Sequence, residues 1–173
     1  GGYPGANATD TAFFAERPKL ENARFTAFGM TKRAGRSVSN DPGFQATLQS
    51  GADAICLVAK SWDYHVRVAL GISNEENLES VAQSVRAVRE TGTEVMIDCE
   101  HFFDGYKGNR EYALAVARTA YEAGARWVVL CDTNGGTLPH EIGRIVREVT
   151  EVIPGTHLGI HTHNDTENAV ANA

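Results

Sequence analysis

Short apolar runs alternate with helical patterns along the whole chain, and no other feature constrains the fold as strongly. Runs at Arg24–Gly29, Ala54–Ala59, Glu94–Asp98, Arg126–Leu130 and His157–Ile160 are long enough for a buried parallel strand and too short for a helix. Between them the apolar spacing becomes helical. From Asn74 to Thr91, Leu78, Val81, Val85 and Val88 share one face, Ser73 and Glu76 form a capping box, and Gly92 ends the pattern. Asn109–Ala123 presents Ala113, Val116, Ala117 and Ala120 before Gly124, and such small residues predict close packing on a sheet. A third pattern starts near Pro139, buries Ile142, Ile145, Val146 and Val149, and breaks at Pro154-Gly155. Shorter helices are predicted at Thr9–Glu16 and Pro42–Ser50.

A strand and a helix recurring about every 30 residues is the mark of βα units joined by right-handed crossovers. Two architectures fit: a doubly wound open sheet, in its smallest form a flavodoxin-like domain of five parallel strands, and a (β/α)8 TIM barrel. A Rossmann-type sheet needs G-x-G-x-x-G directly after a strand, and none of the five runs is followed by one. A barrel collects polar groups at the carboxyl ends of its strands. Thr31-Lys32-Arg33, Lys60-Ser61, Asp98 and Glu100, Asp132-Thr133-Asn134, and His161 with His163 stand at those ends, where packing alone would favour apolar side chains. A whole barrel takes about 250 residues. The 173 residues and five clear strands therefore read as the central part of one barrel domain, 1–173, truncated at both ends and holding roughly strands three to seven with their helices. Gly1-Gly2-Tyr3-Pro4-Gly5 reads as the loop after an earlier strand, and Glu167–Ala173 as the start of an uncapped helix.

With 42% hydrophobic and 22% charged residues, the composition is that of a globular domain. No apolar stretch approaches the ~20 residues of a membrane span, and no signal peptide opens the chain. A cytoplasmic enzyme is the expectation. A net charge of −6 and a pI near 5.5 argue against nucleic-acid binding, so any anionic ligand must be held by local groups. Cys56, Cys99 and Cys131 lie inside apolar runs and are expected to be buried, reduced thiols. In His161-Thr162-His163 the two imidazoles are two apart on a strand, so they project together from its carboxyl end as half of a metal site.

His161-Thr162-His163-Asn164-Asp165 together with Cys131-Asp132-Thr133-Asn134-Gly135-Gly136 resembles a superfamily of metal-dependent barrels. That superfamily contains the 2-isopropylmalate, homocitrate and citramalate synthases, hydroxymethylglutaryl-CoA lyase and the carboxyltransferase domain of pyruvate carboxylase. Gly1–Asn7, Ala27–Gly35, Lys60-Ser61-Trp62-Asp63 and Asp98–Tyr106 look more like the (R)-citramalate synthase branch. The resemblance covers essentially the whole chain, with its blocks in order.

The resemblance implies an acyltransferase that performs a Claisen-type condensation of acetyl-CoA with a 2-keto acid, pyruvate giving (R)-citramalate, in branched-chain amino-acid biosynthesis. A 2-isopropylmalate or homocitrate synthase, a lyase or aldolase of the hydroxymethylglutaryl-CoA lyase type, and a non-catalytic barrel fragment are the alternatives. It implies a divalent metal, Mg²⁺ or Mn²⁺ with Zn²⁺ as the softer choice, held by His161 and His163. The family's further ligand comes from an Arg-Asp pair on a first strand that this segment lacks, so the segment alone is expected to be inactive. By the same resemblance Thr133 binds the keto-acid carboxylate, and Glu100 takes part in enolisation or activates water. His65 lies near the substrate, and Asp132 and Asn164 stand behind the metal ligands. Lys32 and Arg33, with Arg36, would hold CoA phosphates or the keto-acid carboxylate. Each has a plainer reading: Thr133 as a turn residue, Glu100 as a solvated loop carboxylate, Asp132 at a helix entry, His65 on a helix surface, Asp165 as an N-cap, and the basic cluster as a solvated loop. The expected partners are the two small substrates and a second copy in a homodimer, with neither nucleic acid nor membrane.

Overall fold

The computed structural model describes residues 2–173. Five strands, β1 (Thr26–Met30), β2 (Ala54–Lys60), β3 (Glu94–Glu100), β4 (Trp127–Asp132) and β5 (Leu158–Thr162), form one parallel sheet in the order β1-β2-β3-β4-β5. That order discriminates between the two architectures. A doubly wound sheet reverses direction at a switch point, whereas here every crossover steps one strand the same way, as around a barrel wall.

Burial along the strands agrees. In β3, Val95, Ile97 and Cys99 are buried while Glu94, Met96, Asp98 and Glu100 are half-buried. One face of the sheet lies under helices, and the other is the concave side that carries Met96, Asp98, Glu100 and, on β5, His161.

The helices are α1 (Ala8–Ala15), α2 (Pro42–Leu48), α3 (Asp63–His65, continued by a π-helical turn, Val66–Leu70), α4 (Asn74–Glu90), α5 (Phe102–Gly108), α6 (Arg110–Ala123), α7 (Pro139–Thr150) and α8 (Ala169–Asn172). The apolar stripes lie as their spacing predicts. Val81, Val85 and Val88 of α4, Ala113, Val116, Ala117 and Ala120 of α6, and Ile142, Ile145 and Val149 of α7 are all buried. Each of the larger side chains contributes about 1.5–3 kcal/mol by leaving water. Ser73 caps α4 through the N–H of Glu76 at 3.1 Å, and Gly124 closes α6 with φ 106°. No helix among the described residues is long and apolar enough to cross a membrane.

Two segments depart from the sequence reading. The α3 helix with its π turn and the α5 helix, directly after β2 and β3, are absent from the helical patterns read by spacing, although the plain reading of His65 puts that residue on a helix. Gly105 in α5 shows why α5 sits where it does: a Cβ there would lie 2.4 Å from the carbonyl oxygen of Ser61. The helix therefore rests against the backbone that leaves β2, an approach only glycine permits.

Candidate active site at the strand mouths

The parallel register brings the carboxyl ends of β2 to β5 to one rim. Lys60 pairs with Glu100 across β2 and β3, and Cys131 with His161 across β4 and β5. Two groups of side chains stand on that rim.

The first surrounds His161 and His163. Their ring centroids are 4.8 Å apart and the planes 32° inclined, so the two imidazoles do project together. Both residues are exposed. Behind them stands Asp98, read from the sequence only as a polar group at a strand end: its Oδ2 lies 3.9 Å from His161 Nδ1. Asp98, Cys131 and His161 offer ligand atoms all within 4.8 Å of one another. Burial raises the Asp98 carboxyl's pKa, against the downward pull of the Cys56 thiol and His161. Burial, followed by the charge of Asp98, also pushes the Cys131 thiol up. The three cysteines are free, as expected, with Cys99 and Cys131 buried and Cys56 half-buried.

The second group surrounds Glu100. His65, Glu100 and His101 bring ligand atoms within 4.8 Å of one another, and the two rings meet edge to face at 4.5 Å. His65 is thus part of the rim, although its α3 position would suit a plain surface histidine. Burial first, then His101 and the Lys60 charge, hold its imidazole below the ordinary histidine range. Trp62 packs on His65 at 4.8 Å. The Lys60 ammonium forms an ion pair with the Glu100 carboxylate. His101 Nδ1 lies 3.3 Å from Asp104 Oδ2, an oxygen that also accepts from Asn134 Nδ2 at 3.0 Å.

Thr133 lies at the end of β4, facing this group. Its Oγ1 accepts the backbone N–H of His101 at 2.8 Å, and that N–H is aimed there because His101 is left-handed, φ 55° and ψ 36°. The hydroxyl is therefore held by β3 rather than bonded within its own turn.

The side chains of Asp132 and Asn164, expected behind the histidines, bond within their own loops. The Asp132 carboxylate is buried and accepts Thr137 Oγ1 at 2.8 Å and Thr137 N–H at 3.2 Å. Its backbone oxygen is what reaches the histidine loop, accepting the N–H of His163 at 3.3 Å. Asn164 Oδ1 accepts the N–H of Ala169 at 3.2 Å, so it ties down the entry of α8, the task expected of Asp165. A local carboxylate-to-loop bond is shorter-ranged than a reach across the rim, and it wins here.

The basic cluster divides in two. Lys32 is buried, and its Nζ donates to the Arg36 carbonyl at 3.0 Å and to Ser80 Oγ at 3.4 Å. Arg33 is exposed, and only its backbone is tied, to Asp41 Oδ2 at 2.7 Å. Both border a cavity of about 410 Å³ that Lys60, Phe44 and Ser80 also line.

Lys60, Asp98 and His101 were missed as site residues. The sequence marks Lys60 and Asp98 only as polar groups at strand ends, and His101 only as the neighbour of Glu100; nothing more in it marks their roles.

Comparison with known proteins adds a family and a fold. The HMGL-like family model matches residues 29–173. The (R)-citramalate synthase of Aquifex aeolicus is 48% identical over 175 residues, covering 100% of this chain and 33% of that protein. The (R)-citramalate synthase of Streptomyces coelicolor is 51% identical over 175 residues, covering 99% and 33%. Among solved structures, hydroxymethylglutaryl-CoA lyase from Pseudomonas aeruginosa superposes with a TM-score of 0.76 at 23% identity, covering 95% of this chain and 53% of that one. The chain spans about a third of the length of the curated relatives it matches.

Proposed function

The chain belongs to the HMGL-like family, and from that premise we propose that it is the rim-bearing part of an acyltransferase that condenses acetyl-CoA with pyruvate to give (R)-citramalate. The observation that carries this reading is the gathering of His161 and His163, Glu100 and Thr133 on one rim, in a chain 48% and 51% identical to proteins with that activity.

Two neighbouring imidazoles with a carboxylate behind them suit a divalent ion, and His161 and His163 would hold it, Mg²⁺ or Mn²⁺ in use. When bound, the ion supplies Lewis-acid polarisation of the keto carbonyl.

The chain's own groups carry the rest. A threonine hydroxyl has one hydrogen to donate and two lone pairs. With His101 N–H on one lone pair, the Thr133 hydrogen is directed elsewhere, and the keto-acid carboxylate is the acceptor we assign to it. Glu100 removes a proton from the methyl carbon of the thioester, giving the enolate that adds to the keto carbon; the thioester is then hydrolysed to citramalate and CoA. His65 stands beside this carboxylate, with Trp62 packed on the imidazole.

The test is release of CoA, read with a thiol reagent, by the protein at the length of its curated relatives. Acetyl-CoA with pyruvate is expected to turn over and 2-oxoisovalerate to lag. A preference for 2-oxoisovalerate would reassign the protein to the isopropylmalate branch, and cleavage of a hydroxyacyl-CoA without condensation would make it a lyase.

A further inference from the structure

Lys60 has no part in the reaction as written, yet it is built into the rim. Its side chain is 18% exposed and its ammonium lies on Glu100 Oε2. The backbone on both sides is fixed. Asn77, buried on α4, donates to the Lys60 carbonyl at 2.9 Å and to Tyr112 Oη at 2.7 Å. Ser61 donates its Oγ to the Glu100 carbonyl at 2.7 Å, and its N–H to the same oxygen at 3.4 Å. Gly105 then seats α5 against Ser61.

Stability alone does not account for such a pair. A half-buried ion pair loses hydration that its Coulomb attraction only partly returns, and apolar residues of similar volume often stabilise a fold as well or better. Val58, two residues before Lys60 on the same face of β2, is buried and apolar, so the strand itself does not call for a charge. What an ammonium supplies that an apolar side chain cannot is a fixed direction for the carboxylate it holds. It also makes the His65–Glu100–His101 group a poor trap for a second cation, because the carboxylate already has a positive partner.

We propose that Lys60 is the positioning residue of Glu100, holding its carboxylate in the one rotamer from which it reaches the methyl carbon of the thioester. This rests on the reading of Glu100 as the proton acceptor. The pair is made by register partners of adjacent strands, so its geometry is set by the sheet and not by a loop.

The experiment uses the protein at the length of its curated relatives, with Lys60→Met and Lys60→Arg. Methionine keeps most of the apolar stem, and Mn²⁺ titration at His161 and His163 with thermal unfolding checks that each variant is folded. For Lys60→Met, kcat should fall about 100-fold, the scale of a misplaced catalytic group, while KM for both substrates stays within about twofold. Lys60→Arg should recover about tenfold of that loss by restoring a cation of different shape. Wild-type turnover with an unchanged kcat in Lys60→Met overturns the role of Lys60 and leaves the condensation reading intact. A rise in KM at unchanged kcat overturns it too, as does uptake of a second Mn²⁺ ion by the wild type that His65→Ala abolishes. A wild-type protein that releases no CoA overturns the condensation reading, and the role of Lys60 falls with it.

Discussion

The N–H of His101 donates to Thr133 Oγ1 at 2.8 Å across the ends of β3 and β4, from a backbone at φ 55°. A non-glycine residue in this region costs about 1–2 kcal/mol, so the bond is held against local strain. One consequence can be measured directly. His101→Gly should be more stable than His101→Ala by about 1 kcal/mol in urea unfolding, since glycine adopts the conformation freely. Equal stabilities would mean that the strain is relieved elsewhere.

Thr133→Val removes the hydroxyl while keeping its shape, and Thr133→Ser keeps both the hydroxyl and its bond from the His101 N–H, so the pair separates the hydroxyl's role from packing. A hydrogen bond to a charged group contributes about 1.5–3 kcal/mol, so KM for the keto acid should rise about 10- to 100-fold, while Thr133→Ser stays near wild type. A Thr133→Val enzyme with wild-type KM would return Thr133 to the role of a plain loop residue.

Gly135 couples the β4 loop to the histidine loop. Its φ is +60°, and a Cβ would lie 2.7 Å from Asp165 Oδ1 and 3.0 Å from the His163 carbonyl carbon. Gly135→Ala should therefore push the histidine loop outward and leave the sheet alone. Mn²⁺ affinity is expected to fall about 10- to 100-fold, as for changes behind metal ligands, with an unchanged far-ultraviolet circular dichroism spectrum. Unchanged affinity would show that His163 does not depend on this contact.

The residues read correctly from sequence are those whose partners lie within a strand or a helical turn. His161 and His163 are legible because alternation on a strand sends both to one side, and Val81, Val85 and Val88 because helical spacing does the same. The α5 helix is not legible: two glycines and two phenylalanines in Phe102–Gly108 give it weak intrinsic propensity, and it forms where Gly105 fits against Ser61. Lys60 and Glu100, like Asp98 and His161, lie 40 or more residues apart and meet only through strand register. Asp132 misleads for the opposite reason: Thr137, five residues on, takes its carboxylate first.

Lys32 and Arg33 are adjacent in sequence and separable by experiment. Lys32 is buried with its ammonium on Arg36 O and Ser80 Oγ. Lys32→Ala should cost about 1–3 kcal/mol of stability by leaving the buried Ser80 hydroxyl and the Arg36 carbonyl without this donor. Arg33→Ala should change stability by less than about 0.5 kcal/mol but raise KM for one of the two anionic substrates, more at low salt than at high. If Arg33→Ala leaves both Michaelis constants unchanged at low salt, the exposed arginine has no part in binding.

Asp41 sets how this basic loop responds to acid. Its carboxylate is 2% exposed and accepts the N–H of Arg33 at 2.7 Å and those of Gly43 and Phe44 at 3.1 and 3.3 Å, capping α2. Burial by itself would raise its pKa, but the N–H groups of Arg33 and Phe44 and the Arg33 charge outweigh that and bring it below the ordinary value. The unfolded chain therefore binds this proton more readily than the native one. The stabilisation is fully present above the unfolded pKa of about 3.9 and is lost as pH falls through the lower native value. Urea unfolding should show wild-type stability declining below about pH 4. Asp41→Asn keeps one acceptor for the cap but turns an amide N–H₂ group toward the Arg33 N–H. It should be less stable by about 1–3 kcal/mol at pH 6 and lack this part of the acid slope. Because the same carboxylate anchors the Arg33 backbone, Asp41→Asn should also raise the Michaelis constant that Arg33→Ala raises. A variant with the stability loss but wild-type kinetics would separate the cap from the binding loop.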